Sequence, residues 1–337
     1  MSHIENRSDV QAARADVKSE IAKILIDAMQ KQATPWQRPW SAASMRPMNP
    51  TSGNAYKGIN RLLLSLSGMD DPRWMTYQQA AKAGWQVRRG EKGSPIIKLV
   101  EVGPQAASAS GSDSGAGSEA AGSGSARAES MANGQRKAFA LRRYTVFNAK
   151  QIDGVPELQA PPALDFNPVD RAEAVLEALK QTGLVIIHGG AQACYIPALD
   201  QARLPAKKAF HSVHDYYSTA LHEGAHSTLH EKRMDRREAL GKKWGDEAYA
   251  VEELRAEICS AILAAETGVP MSQAHIDNHA AYLQNWIKVV AADPMAIFSA
   301  AKDAEAMAGY MLGLEKKMTA NATHREWIED YDLAASA

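Results

Sequence analysis

The sequence predicts an α+β protein of two domains, a small α+β domain followed by a mainly helical domain with a small sheet. Strand-like apolar runs at residues 94–102 and 139–148 place a sheet in the first half. A proline-rich segment, residues 155–168, marks a linker. Beyond it the apolar periodicity is helical almost to the end. We therefore expect domains at 1–154 and 169–325.

The first domain begins with a helix, because apolar residues recur at the spacing of one helix face. These residues are Val17, Ile21, Leu25 and Met29. Shorter helical patterns follow at 59–66 and 75–84. The stretch WQVRRGEKGSPIIKLVEV, residues 85–102, then predicts a strand, a tight Gly-Glu-Lys-Gly turn and a second strand.

A Gly/Ala/Ser-rich insert occupies residues 103–134 and contains almost nothing able to anchor a core. Such a composition cannot bury enough apolar surface to offset chain entropy, which predicts a disordered segment. Because strand-like runs flank it on both sides, we expect an extended hairpin loop inside the first domain.

The second domain opens with a helical pattern at 170–183. Residues 184–205 predict two strands around a Gly-Gly turn. From Tyr216 onward the pattern is helical.

Charge divides the chain although its formal net charge is only −1. Residues 1–150 contain 21 Lys and Arg against 12 Asp and Glu, a balance of +9, and the remainder has 17 against 27, a balance of −10. A basic first half favours a polyanionic partner. Two cysteines, no signal-peptide pattern and no membrane-length apolar run lead us to expect a cytoplasmic protein without a membrane partner.

The stretch TALHEGAHSTLH, residues 219–230, predicts a metal site on a helix. His222 and His226 are four residues apart, so both imidazoles project from one helix face and can hold one ion. Glu223 is offset beside them, where its carboxylate can act as the general acid and base. His230 lies about 12 Å along the axis from His222, too far to share the ion.

A catalytic zinc of this kind needs a third protein ligand and an open position. The helical pattern at 248–266 places Glu253 and Glu257 along one edge of a helix. We predict Glu253 as the third ligand of Zn²⁺, or of another divalent transition metal, and Glu257 as the carboxylate that orients a ligand histidine. Periodicity alone permits the reverse assignment. For Glu252, a solvated or hydrogen-bonded side chain is the expectation.

Aromatic and cationic side chains alternate through the first domain, a combination typical of single-stranded DNA binding because bases stack on rings and cations follow the phosphates. Packing of the tryptophans in a small core is an equal alternative for each of them. The predicted DNA-binding residues are Trp36, Arg38, Trp40, Tyr56, Lys57, Arg61, Trp74, Arg88, Arg89 and Lys92.

Several stretches together resemble the ArdC-type antirestriction proteins of conjugative plasmids, whose first domain is shared with TraC-type primases. They include PWQRPW, PMNPTSGNAYKGIN, WMTYQQAAKAGWQVRRGEKGSPI, YTVFNAKQIDGVP, the HEGAH helix and EELRAEICSAILAAETG. The resemblance covers most of the chain outside the insert and the two ends. Two departures are Gly224, where a larger apolar residue is usual, and the long insert.

The resemblance implies a single-stranded DNA-binding domain followed by a zincin-like, zinc-dependent metallopeptidase domain in the bacterial cytoplasm. It further implies protection of incoming DNA from host restriction during conjugation, with a host restriction-modification protein as the candidate target. A different class stays open: a non-catalytic DNA-shielding protein or restriction-enzyme inhibitor with a structural metal. The oligomeric state and any peptide substrate are not predicted.

Overall fold

The computed structural model describes residues 5–31, 46–102, 124–125, 129–132, 135–158, 167–237, 246–270 and 282–335. Its helices and small sheets confirm the predicted α+β class. Within these ranges, no helix is both long enough and apolar enough to pass through a bilayer.

The first part of the chain combines helices with very short strands. Its elements are α1 (Glu5–Gln30), α2 (Ile59–Ser65), β1 (Trp74–Met75), α3 (Tyr77–Lys82) and β2 (Gln86–Val87). The apolar stripe predicted for α1 is confirmed, since its four residues are at most 1% exposed. Helix α3 begins at a capping box in which the side chains of Thr76 and Gln79 each accept a bond from the other's backbone N–H.

A long antiparallel ribbon is the main sheet of this part. Its strands are β3 (Ser94–Val102), β4 (Gly124–Ser125), β5 (Glu129–Ala132) and β6 (Gln135–Asn148), and β6 pairs with β1, β3, β4 and β5. The register runs from Ser94 opposite Val146 to Val102 opposite Ala138, which confirms the predicted hairpin. Strands β4 and β5 lie within the insert 103–134, so the prediction of disorder is wrong for these residues. The rest of the insert lies outside the described residues, and its disorder stays a prediction.

The two strands predicted within residues 85–102 are present, but they do not pair with each other. Strand β2 pairs with β7 (Ile152–Asp153), Gln86 opposite Asp153, and not with β3. The turn between β2 and β3 therefore joins two different sheets. Gly93 passes so close to β6 that a Cβ there would lie 2.3 Å from the Thr145 side chain. A local pattern cannot show that a strand some sixty residues later competes for the pairing.

The second part of the chain is mainly helical. Its elements are α4 (Pro168–Gln181), β8 (Val185–His188), β9 (Cys194–Ile196), β10 (Gln201–Leu204), α5 (Val213–Ser227), α6 (Asp246–Thr267), α7 (Leu283–Ala292) and α8 (Met295–Ala335). The two strands predicted around the Gly-Gly turn do not pair with each other. Strand β10 lies between them, parallel to β8 and antiparallel to β9.

One hydrophobic core runs through both parts. Val17 of α1 and Leu62 of α2 belong to the same buried cluster as Leu176 of α4, Leu263 of α6 and Ile297 of α8. The predicted domains are therefore packed together along a shared apolar surface. The boundary at 155–168 stays a prediction, because residues 159–166 lie outside the described residues.

Helix α5 packs closely against α4 and α8 at Gly224. A Cβ built at Gly224 would lie 3.1 Å from Leu179 Cδ1 and 3.3 Å from Met311 Cε. Contacts this short require the neighbouring side chains to move, so the glycine allows the helices to approach. The leucine and methionine fill the space that a larger residue would take.

We expect Gly224→Leu to lower the free energy of unfolding by about 1–3 kcal/mol, because it overpacks this helix contact. Gly309 on α8 is the matched control, since it is exposed and a Cβ there meets nothing within 4 Å. Gly309→Leu should stabilise by about 0.5–1 kcal/mol through helix propensity. Urea unfolding of both variants measures the difference. Equal stability of the two variants would contradict this packing.

Candidate metal centre

Helix α5 sets the position of both predicted histidine ligands. The helix starts at Ser212, whose hydroxyl accepts a hydrogen bond from the backbone N–H of Asp215 at 3.1 Å. His222 and His226 follow one turn apart, with their Nε2 atoms 3.1 Å from each other. The two imidazoles thus present the same nitrogen toward one point.

Helix α6 completes the site with Glu253. One carboxylate oxygen lies 3.6 Å from His222 Nε2 and the other lies 3.4 Å from His226 Nε2. One ligand atom from each of these three residues lies within 4.8 Å of the others. The structure therefore brings together the three residues that the sequence analysis grouped as ligands.

A second layer of carboxylates lies behind the imidazoles. Glu257 Oε2 is 3.3 Å from His222 Nδ1, and Glu252 Oε1 is 3.5 Å from His226 Nδ1. In each ring, Nδ1 therefore faces a carboxylate of this second layer, and Nε2 points toward the site where the three ligand atoms converge. This arrangement fixes the tautomer and orientation that a metal ligand requires.

Glu252 is hydrogen-bonded, which is one of the two states expected for it, but the structure also places it behind a ligand histidine. It is 1% exposed, and Arg236 donates to both of its oxygens at 2.9 Å. The adjacent glutamates at 252 and 253 could have indicated this role for Glu252. Neighbouring residues on a helix point about 100° apart, so the two side chains can reach opposite sides of one metal centre. Nothing in the sequence identified Arg236, which comes from the loop after α5.

Tyr249 is a further residue that the sequence analysis missed. It lies one turn before Glu253 on α6, and its hydroxyl takes part in side-chain hydrogen bonds with Glu253 and Tyr282. Burial, together with the Glu253 charge, raises the pKa of Tyr249. The phenol therefore stays protonated and available as a hydrogen-bond donor.

Glu223 lies beside the imidazoles with 7% of its surface exposed, and its charge acts on both of them. His230 is not part of the centre, because its Nδ1 lies 3.6 Å from Asp200 Oδ2. This agrees with its exclusion from the ligand set by helix geometry.

The donor set fits a divalent transition metal. Two imidazole nitrogens and one carboxylate oxygen are ligands that such ions accept, and three protein ligands leave a position for substrate. Four buried carboxylates surround the two imidazoles, namely Glu223, Glu252, Glu253 and Glu257, and Arg236 compensates the charge of Glu252. The other three carboxylates still outnumber the imidazoles. A bound cation would offset this concentration of negative charge.

In the metal-free site the histidines hold protons. Burial acts to lower the pKa of His222, but the carboxylates of Glu253 and Glu257 outweigh it and raise the pKa to about 9. Burial is likewise outweighed at His226, whose pKa is raised by Glu252 and Glu253. For Glu253, burial acts to raise the pKa, but the two imidazoles outweigh it and lower the pKa.

Two of the predicted DNA-binding residues, Trp74 and Arg61, are buried. Trp74 is 2% exposed and packs with Leu64 and Val146, so no base can stack on its ring. Arg61 is also buried, because it pairs with Glu305 at 2.6 Å and with Glu266 at 3.7 Å. Both predictions are corrected: these residues belong to the core and to the contact with the second part.

The remaining residues of the predicted DNA-binding set differ in accessibility. Tyr56 is half-buried, and its hydroxyl donates to the Trp74 carbonyl at 3.3 Å. Arg88 is exposed but pairs with Glu91 at 2.8 Å and with Asp153 at 3.4 Å. The side chains of three others are exposed, namely Lys57, Arg89 and Lys92. Three predicted residues lie outside the described residues, namely Trp36, Arg38 and Trp40.

Two protein families match successive segments of the chain. Residues 15–147 match the N-terminal domain of anti-restriction factor ArdC, and residues 170–303 match the zincin-like metallopeptidases. The second match contains the whole candidate metal centre.

Solved structures show the same relationship over nearly the full chain. The antirestriction ArdC protein from R388 plasmid is 30% identical, in a metal-free crystal structure (TM-score 0.67) and in a Mn(II)-bound one (TM-score 0.68). The alignments cover 90% and 89% of this chain and 98% of each ArdC chain.

Two DNA primases TraC from Escherichia coli are each 42% identical, over 92% and 88% of this chain. The chain spans only 28% and 20% of the length of these primases. The uncharacterized protein y4eC of Sinorhizobium fredii is 32% identical, and the alignment covers 88% of this chain and 91% of that protein.

We expect metal affinity to increase with pH. Imidazole binds a metal ion only in its neutral form, so binding must displace the proton that His222 retains up to about pH 9. Calorimetric titration of metal-free protein with Zn²⁺ should show affinity rising by up to about a hundredfold per pH unit between roughly pH 6.5 and 8, because both imidazoles must lose a proton. Titrations in two buffers of different ionisation enthalpy should show net proton release.

The metal-free protein should show the opposite trend in stability. The pKa of His222 is raised from 6.5 to about 9, so its contribution is complete below pH 6.5 and is lost as the pH rises through about 9. Thermal unfolding across this range measures it. Metal affinity that does not change with pH would contradict the protonated state assigned to the site.

We expect Arg236→Gln to weaken metal binding by about 10- to 100-fold, because Glu252 loses the guanidinium that contacts both of its oxygens and keeps the longer contact with Arg255 at 3.6 Å. Competition with a chromophoric chelator measures the affinity. Arg237→Gln is the matched control, since Arg237 is half-exposed and pairs only with Glu231 and Asp235 among the described residues. A folded Arg236→Gln protein with the affinity of the control would show that Glu252 does not support the site.

Proposed function

The chain belongs to the ArdC-type antirestriction proteins, and on this premise we propose that it binds single-stranded DNA with its first part and hydrolyses peptide bonds with its second. The observation that carries the proposal is the convergence of His222, His226 and Glu253 on one point beside Glu223. Glu257 and Glu252 behind the imidazoles add support, because a site that orients its ligands is prepared for a metal ion.

His222, His226 and Glu253 are the residues that would hold the metal. We propose Zn²⁺, with another divalent transition metal such as Mn²⁺ as the alternative. When bound, the ion supplies Lewis-acid polarisation of a scissile carbonyl and acidifies the attacking water.

Glu223 carries the proton transfers of the proposed reaction. Its carboxylate accepts a proton from the attacking water and donates it to the nitrogen of the departing amine. The protonated Tyr249 hydroxyl would hydrogen-bond to the Glu253 carboxylate and help to orient this ligand. Glu223 is not among the proposed ligands, so the effect of changing it can be separated from metal binding.

The small sheet offers a way to align an extended peptide. Strand β9 is an edge strand of the order β8-β10-β9, and it packs against α5. An unpaired strand edge can accept a further strand by backbone hydrogen bonds. A substrate bound along β9 would thus lie beside the helix that carries the histidines.

For DNA binding, the support is the +9 charge balance of residues 1–150 and their match to the ArdC N-terminal family. We propose that this binding directs the protein to incoming plasmid DNA during conjugation, in the bacterial cytoplasm. There it would protect the DNA from host restriction, with a restriction-modification protein as the target.

A second function is favoured by the burial of the site. His222, Glu223, His226 and Glu253 are each only 5–8% exposed, which suits a structural metal as well as a catalytic one. In that case the protein would shield DNA or inhibit a restriction enzyme without hydrolysing anything.

Glu223→Gln distinguishes the two functions. If the site is catalytic, this change should lower peptide hydrolysis by about 10²- to 10⁴-fold, because it removes the general base. Metal content and melting temperature should stay those of the wild type. The assay is a proteolysis screen on restriction enzymes, with and without single-stranded DNA, and His222→Ala is the metal-free control.

Plasmid transfer into a restricting host completes the test. Loss of protection in Glu223→Gln, with metal retained, supports the peptidase. Protection equal to that of the wild type would contradict it and favour the shielding function.

A further inference from the structure

The register of the ribbon places two cations directly opposite each other. Lys98 of β3 pairs with Arg142 of β6, and both side chains are exposed. Among the residues whose side chains the structure describes, no acidic one forms an ion pair with either of them, whereas the neighbouring Arg143 pairs with Glu20 at 3.3 Å. Like charges facing each other across an antiparallel pair are destabilising. A bound anion would remove this repulsion.

An aromatic ring lies on the same face of the ribbon. Because side chains alternate along a strand, Tyr144 shares the face of Arg142, and its partner Ile96 shares the face of Lys98. Tyr144 is 37% exposed. The two pairs are roughly 7 Å apart along the strands. We call the surface formed by Lys98, Arg142 and Tyr144 the ribbon face.

The opposite side of the ribbon is occupied by the rest of the protein. Arg143 points to that side and pairs with Glu20 of α1, and Leu141 packs against the main core. On the ribbon face, Ile96 packs with Trp74 and is covered. Lys98, Arg142 and Tyr144 stay exposed among the residues that the structure describes, and they can reach a partner.

A strand of nucleic acid matches this combination of groups. Two cations can contact successive phosphates while an exposed ring stacks on a base. The base must present its flat face to the ring, and in a duplex that face is covered by the neighbouring base pairs. An unpaired strand is therefore favoured over a duplex.

We propose that the ribbon face is a contact surface for single-stranded DNA, with Lys98 and Arg142 on phosphates and Tyr144 stacked on a base. This inference rests on the single-stranded DNA binding proposed above and specifies where it occurs. The ribbon face also takes the DNA-binding role that the sequence predicted for Trp74 and Arg61, since both of these residues are buried.

The test compares variants of the full chain by fluorescence anisotropy with labelled oligothymidylate. Lys98→Gln combined with Arg142→Gln should weaken binding at least about tenfold and reduce the slope of log affinity against log salt by about 1.4, or 0.7 per lost phosphate contact. The matched control is Lys316→Gln with Lys317→Gln, which removes two exposed charges from α8. The control should keep the affinity and the slope of the wild type.

The aromatic contact is tested separately. Tyr144→Ala should weaken binding about tenfold with an unchanged salt slope, whereas Tyr144→Phe keeps the ring and should bind within about twofold of the wild type. Melting temperatures verify that every variant is folded.

The outcomes separate this inference from the function on which it rests. If the wild type binds oligothymidylate no better than a duplex of equal length, the proposed single-stranded DNA binding is wrong. If the wild type prefers the single strand but the Lys98/Arg142 variant behaves as the α8 control, that binding stands and the ribbon face is wrong. If the Lys98/Arg142 variant binds more weakly but Tyr144→Ala binds as the wild type does, the stacking contact is wrong.

Discussion

The arrangement of the second part depends on burying ionisable groups between α5 and α6. His222 and His226 on α5 meet Glu252, Glu253 and Glu257 on α6, and each of these five residues is at most 8% exposed. Burying such charges without partners would cost several kcal/mol per group, so every one of them must find a partner. Only a narrow range of relative positions of α5 and α6 gives each of these charges a partner. In that range the three ligand atoms also converge.

Helix α6 links this cluster to the first part of the chain. Its middle carries Glu253, and Glu266 near its end accepts the ion pairs of Arg46 and Arg61. The distance between these two points is roughly 20 Å along one rigid helix. Because a single hydrophobic core also crosses this contact, the basic first part is packed directly on the helix that supplies the third ligand.

Much of the site could be predicted from local patterns. The four-residue spacing of His222 and His226 places both rings on one face of any straight helix, whatever packs around it. Helix geometry also excluded His230 from the ligand set, because it lies about 12 Å along the helix axis from His222. For the front part, composition indicated a DNA-binding character but assigned it to the wrong side chains at Trp74 and Arg61. Composition counts aromatic and cationic residues without knowing which of them the core will cover.

The amino-acid order was sufficient for the α+β class, the α1 stripe, the β3–β6 hairpin and the histidine pair, since each follows from a periodicity of a few residues. Packing was needed for the rest. The choice between Glu253 and Glu257 depends on where α6 lies against α5, and the role of Glu252 depends on Arg236 returning from a loop. The pairing of β2 with β7 and the open ribbon face likewise depend on contacts between residues far apart in sequence, whose energies no local pattern contains.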